Sequence, residues 1–137
     1  MSAIEIIRNI RLASRVVGTK FELETGATIP QLLVLHSLDA GDKIQIQVSR
    51  ETGIDRSTIT NIVNRLAKAG YIKITDNPED ARVKMLRITA SGKQQLRKLE
   101  KTLDKISGNK FGLSDQKADQ LIELLANVSG IPESEAA

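Results

Sequence analysis

The stretch Asp55-Arg56-Ser57-Thr58-Ile59-Thr60-Asn61-Ile62-Val63-Asn64-Arg65-Leu66-Ala67-Lys68-Ala69-Gly70 decides how the rest of the chain is read. Ile59, Ile62, Val63 and Leu66 fall at i, i+3, i+4 and i+7, an apolar stripe with the helical period. Ser57, Thr58, Thr60, Asn61, Asn64, Arg65 and Lys68 project elsewhere. Asp55 to Thr58 carry N-cap chemistry, and Gly70 suits the position just past a helix end. The spacing predicts a helix from about Arg56 to Ala69.

Working outward, Gln45 to Thr52 reads as a short helix ended by Gly53, with Ile44 before it and Ile54 plugging the turn. On the other side, Tyr71–Thr75 and Lys84–Thr89 have strand-like composition and partial alternation. The polar loop Asp76-Asn77-Pro78-Glu79-Asp80-Ala81-Arg82-Val83 lies between them, so the pair predicts a hairpin with a long tip. Short helix, glycine turn, amphipathic helix and hairpin together make a winged helix-turn-helix. One helix precedes it over about Ala3–Glu24, carrying Ile7, Ile10, Val17 and Phe21. A second starts near Pro30 after Thr28 or Ile29 and carries His36. A third follows, with Ser91 as its cap and Leu96, Leu99, Leu103 and Ile106 along one side, broken at Gly108-Asn109. A last one is capped by Ser114 and carries Leu121, Ile122, Leu124, Leu125 and Val128, and the tail from Gly130 is expected to fray. The predicted fold is mainly α with a small β-hairpin wing. Residues 1–27 form an N-terminal dimerisation helix, 28–90 the winged helix-turn-helix, and 91–137 the C-terminal dimerisation helices.

Composition narrows the function. The 137 residues are 40% hydrophobic and carry net charge +3, enough apolar matter for one domain that buries roughly two thirds of its unfolded surface. No apolar run approaches the ~18 residues of a membrane span. Met1-Ser2-Ala3-Ile4-Glu5 lacks the order of a secretory signal, so the expected location is the cytoplasm, at the nucleoid. There is no cysteine, hence no thiol nucleophile, and one histidine, His36. A zinc site draws on several such ligands, so no metal is expected. His36 on its apolar helix reads as a packing or partner-bonded side chain. No nucleophile–base pair or phosphate-cradling glycine loop is present, and an enzyme is not expected.

The charge is unevenly spread. Residues 55–98 hold ten Lys/Arg against four Asp/Glu, while 1–54 are balanced and 99–137 are acidic. A basic middle on a winged helix is the footprint of a polyanion-binding module. In such a module the helix at 56–69 enters a major groove, where Thr60 and Asn61 meet base edges and Arg65 meets guanine or a phosphate. Ser57 and Thr58, with free N–H groups at the helix start and Arg56 beside them, are phosphate anchors or simple caps. Arg82 at the loop tip suits a narrow minor groove, with Asp80 aiming its guanidinium and Lys84 near the backbone. The stripes on the outer helices exceed what a small winged-helix core can cover, which points to a homodimer. The competing reading is a winged-helix protein-interaction module without sequence-specific DNA binding.

Asp55-Arg56-Ser57-Thr58-Ile59-Thr60, Val63-Asn64-Arg65-Leu66, Ala69-Gly70-Tyr71-Ile72, Asn77-Pro78-Glu79-Asp80-Ala81-Arg82 and Leu86-Arg87-Ile88-Thr89-Ala90-Ser91-Gly92 resemble the MarR family of prokaryotic transcription regulators. The matching core runs from about Thr28 to Leu96. The resemblance implies a homodimer whose first and last two helices interlock and which reads a pseudo-palindrome in double-stranded DNA. It implies Thr60, Asn61 and Arg65 in the major groove and Arg82 in the minor groove. It further implies repression relieved by a small organic effector, often phenolic or anionic, bound between the dimer helices and the DNA-binding lobe. Asn61 and Asn64 depart from the Arg and Asp usual in the family, Ile44 from the usual Thr cap. With three aromatics, Phe21, Tyr71 and Phe111, a stacking pocket is thinly supplied, and a thiol-oxidation switch has no cysteine to work with.

Overall fold

The computed structural model describes residues 2–130. In chain order these form α1 (Ala3–Thr25), α2 (Ile29–Asp39), β1 (Lys43–Ile44), α3 (Gln45–Thr52), α4 (Arg56–Lys68), β2 (Ile72–Asp76), β3 (Lys84–Ile88), α5 (Ala90–Phe111) and α6 (Asp115–Ser129). The predicted elements are present and lie within a residue or two of their expected bounds, up to the division of α5.

Local chemistry sets the starts. The Thr28 hydroxyl accepts from Gln31 N–H at 3.2 Å while Gln31 Oε1 accepts from Thr28 N–H at 2.9 Å, a reciprocal cap that opens α2 one residue before Pro30. Between α3 and α4 the backbone turns through Gly53 at φ 72°, a left-handed position that favours glycine. At α5 the cap is Thr89, whose hydroxyl accepts from Gly92 N–H at 3.0 Å, and Ser91 lies inside the helix. The cap expected at Ser91 is corrected accordingly.

The expected hairpin is the larger part of a three-stranded antiparallel sheet, ordered β1-β3-β2. Ile72 faces Ile88 and Asp76 faces Lys84 across β2–β3, while Lys43 faces Leu86 and Ile44 faces Met85 across β1–β3. A two-residue strand has no period to read, which is why β1 is absent from the sequence prediction.

Ile59, Ile62, Val63 and Leu66 of α4 are all buried, in one core with Leu35 and Leu38 of α2, Val48 of α3, and Ile72, Leu86 and Ile88 of the sheet. Phe21 of α1 and Leu96 and Leu99 of α5 join that core. This corrects the sequence reading for part of the outer helices. The upper α5 stripe folds onto its own domain, with Leu103 and Ile106 partly buried against it. Exposed are Ile4, Ile6, Ile7, Leu12, Val16 and Leu23 on α1, and Leu121, Ile122, Leu124, Leu125 and Val128 on α6, where no residue is buried.

The expected break at Gly108-Asn109 is a run of left-handed backbone, Gly108 to Phe111 with φ between 57° and 63°. It turns the chain out of α5 toward α6, whose cap is Ser114 as expected. The expected fraying tail lies, beyond Gly130, outside the described residues, as does Met1 of the amino-terminal segment. Among the described residues no helix is long and apolar enough to cross a membrane.

Candidate nucleic-acid interface

Burying Ile59, Ile62, Val63 and Leu66 fixes the rotation of α4. At 3.6 residues per turn, Ser57, Asn61, Asn64 and Lys68 then lie along the opposite edge, all exposed. Asn64 and Lys68 belong to this edge as fully as Asn61 does, and a helical projection of the sequence would have placed them there. Thr60 stands on the flank toward α3. Arg65 and Thr58 stand on the flank toward α1, lining a groove of about 610 Å³ with Arg15, Gly18, Glu22 and Gln31.

The start of α4 is organised by Asp55. Its carboxylate accepts from the Ser57 hydroxyl at 2.6 Å, the Thr58 hydroxyl at 2.6 Å and Thr58 N–H at 3.3 Å. The hydroxyl of Ser57, then that of Thr58, then the Thr58 N–H lower its pKa from 3.8 to about 2. Both hydroxyl protons are therefore committed to Asp55. Asp55 is thus the cap of α4, and the Ser57 and Thr58 side chains hold its carboxylate in place. Arg56 beside them is exposed.

At the wing tip, Asn77 Oδ1 accepts from Glu79 N–H at 3.0 Å, and Val83 N–H donates to Asp80 O at 3.0 Å. Arg82 extends from this turn with its side chain 90% exposed and paired to Asp80. The Arg82 guanidinium, and after it the Arg82 N–H, holds the Asp80 carboxyl below its ordinary range. Lys84 pairs with Asp76 across the β2–β3 ladder. Arg87 reaches back to Asp42 at 2.7 Å, tying the wing to the turn before β1; nothing in the sequence pattern signals that pair, 45 residues apart.

The structure brings Arg56, Ser57, Thr58, Thr60, Asn61 and Arg65 onto α4, and Asp80, Arg82 and Lys84 onto the wing, as their sequence positions require. Gln45, at the start of α3, joins them without a local sequence signal: its Oε1 lies 3.2 Å from the Thr60 hydroxyl. His36 is exposed on α2 and not packed in the core, which corrects the packing alternative of its sequence reading. Among the described residues no group of three or more His, Cys, Asp or Glu is placed to hold a metal ion.

A sequence profile of the MarR family matches residues 25–83. The uncharacterized HTH-type transcriptional regulator YdgJ of Bacillus subtilis is 26% identical over 126 residues, 90% of this chain and 77% of that protein. The HTH-type transcriptional repressor IacR of Pseudomonas putida is 29% identical over 99 residues, 71% of this chain and 59% of that protein. Among solved structures, the PcaV transcriptional regulator from Streptomyces coelicolor in complex with its natural ligand is similar, with a TM-score of 0.79 and 26% identity. That likeness covers 95% of this chain and 93% of PcaV.

Proposed function

We infer that this chain is a member of the MarR family of winged-helix, DNA-binding transcription regulators, and from that premise that two copies bind one pseudo-palindromic operator. In this reading the edge of α4 formed by Ser57, Asn61, Asn64 and Lys68, with Thr60 and Arg65 on its flanks, enters the major groove. Arg82 enters the adjacent minor groove, where a held cation meets enhanced negative potential. Arg56 and Lys84 neutralise phosphates. Residues 28–90 are the DNA-binding part and the helices on either side the dimerisation part. The uncovered apolar faces of α1 and α6 support this division, because they are the surfaces the chain does not bury by itself.

The proposed outcome is repression, in the cytoplasm at the nucleoid, as the name of IacR supports. PcaV binding a natural ligand supports a small organic effector here too. The groove between α1, α2 and α4 is the place proposed for it, since Arg65 and Asn61 line it from the DNA-binding helix and Arg15 from the dimerisation helix. An effector there can act only by binding one spacing of the two α4 helices better than the other.

The observation that carries the proposal is the pairing of a rigidly buried α4 stripe with an exposed polar edge, next to a wing whose Arg82 is extended and held. A mobility-shift assay on genomic fragments tests it. Retention of specific fragments, with log K falling by about 0.9 per neutralised phosphate as log salt rises, is the expected result. A protein-interaction module would retain none.

A further inference from the structure

Gln45 sits at the first turn of α3 with its side chain against Thr60 of α4, and both are linked to a backbone that is unusually well fixed. Lys43 and Ile44, just before it, pair with Leu86 and Met85 of β3. The Lys43 ammonium donates to the Ser37 carbonyl at 2.6 Å and to Glu51 at 2.8 Å, while Ile44 N–H donates to Gln47 Oε1 at 3.0 Å. Gln45 itself is half-buried, and its side chain meets Thr60.

Thr60 Oγ1 lies 3.0 Å from the Arg56 carbonyl oxygen and 3.2 Å from Gln45 Oε1. Both are acceptors and a hydroxyl has one proton, so Thr60 donates to one of them, and it can accept only from the Gln45 NH2 with the amide turned over. If it donates to Gln45, the amide oxygen keeps one lone pair and the NH2 keeps both hydrogens. If it donates to Arg56, the amide turns over and donates one N–H to Thr60, keeping the other and both oxygen lone pairs. In either arrangement Gln45 retains one donor and one acceptor side by side. That is the pattern that matches N7 and N6 of adenine in the major groove.

Building on the DNA-binding reading above, we propose that Gln45 is a specificity-determining residue, oriented by Thr60, that reads one adenine in each half-site from outside the recognition helix. It holds a planar amide in place before DNA arrives, which lowers the ordering cost of the contact.

The test is selection of bound duplexes from a randomised library by the full chain and by Gln45→Ala, Gln45→Glu and Thr60→Val, each first checked for native helix content. Wild-type protein should enrich an A·T pair at one position of each half-site. Gln45→Ala should flatten that preference by roughly 5- to 150-fold, with the salt slope unchanged. Gln45→Glu, which has acceptors only, should move it toward C·G. Thr60→Val should weaken it, and should change nothing further at that position when Gln45 is already Ala. A wild-type motif that Gln45→Ala and Gln45→Glu both reproduce overturns the inference alone. A wild-type protein that enriches no sequence overturns the DNA-binding reading and the inference with it.

Discussion

Asp80 grips Arg82 at three points: Oδ1 accepts from Nε at 3.1 Å and from the Arg82 backbone N–H at 3.0 Å, and Oδ2 accepts from Nη2 at 3.2 Å. An ion pair this exposed contributes little to folding. Its effect is to hold a long cation in one direction at the wing tip. Arg82→Ala should therefore weaken operator binding by about 5- to 150-fold and leave the thermal midpoint unchanged. Asp80→Asn, which keeps the shape and loosens the grip, should cost less than Arg82→Ala. Anisotropy titrations at one fixed, moderate salt concentration check both.

Gly92 marks where α5 meets the end of the wing. A Cβ there would stand 2.0 Å from the Tyr71 carbonyl oxygen and 2.8 Å from Ile88 Cγ1. That carbonyl already accepts from Thr89 N–H at 3.0 Å, so it is not free to move. Gly92→Ala should destabilise the fold by about 1–3 kcal/mol, as overpacking does. Gly18→Ala is the contrast: in mid-α1 its Cβ would meet only Ile29 Cγ1 at 3.9 Å, and a gain of about 0.5–1 kcal/mol is expected. Urea unfolding of the two variants measures the difference.

Asp55 makes the helix cap pH-sensitive. Its folded pKa, about 2, lies below the ordinary 3.8, so the stabilisation it gives is complete above the ordinary value and is lost as pH falls from about 4 to about 2. Asn also caps helices but does not titrate there. Wild-type protein should thus be more stable than Asp55→Asn at pH 7, and the gap should close toward pH 2. Thermal midpoints of both proteins across that range provide the check.

The exposed apolar face of α6 separates assembly from folding. Leu125 is 40% exposed, whereas Leu99 is 3% exposed and sits in the core. Leu125→Lys should give a folded chain that sediments as a monomer and binds operator at least about tenfold more weakly, since half the contacts are lost on separation. Leu99→Lys should fail to fold. Sedimentation velocity with circular dichroism distinguishes the two outcomes.

Periodic features were legible in the sequence. The α4 stripe announces itself at the helical period, and each of its four members is buried. Features set by partners were not. Thr89 and Ser91 offer the same hydroxyl, and only the bond from Gly92 N–H to the Thr89 hydroxyl shows which of them caps α5. The stripes of α5 and α6 look alike in sequence, yet Leu96 and Leu99 find cover within the chain while Leu121 and Leu125 do not. For the candidate site, the exposure of Asn61 on α4 and of Arg82 at the wing tip was legible, but the direction of the Ser57 and Thr58 protons depends on Asp55. Gln45 meets Thr60 only because the glycine turn folds α3 against α4, a contact across 15 residues that no local pattern encodes.

Hydroxyl-radical footprinting of purified wild-type protein on a retained genomic fragment bears most directly on the idea that two α4 helices and two wings hold one duplex. Two protected half-sites related by pseudo-two-fold symmetry are expected, their centres about one helical turn or ~34 Å apart, with minor-groove protection that disappears in Arg82→Ala. Protection of a single half-site, or a wing protection that survives Arg82→Ala, would contradict it.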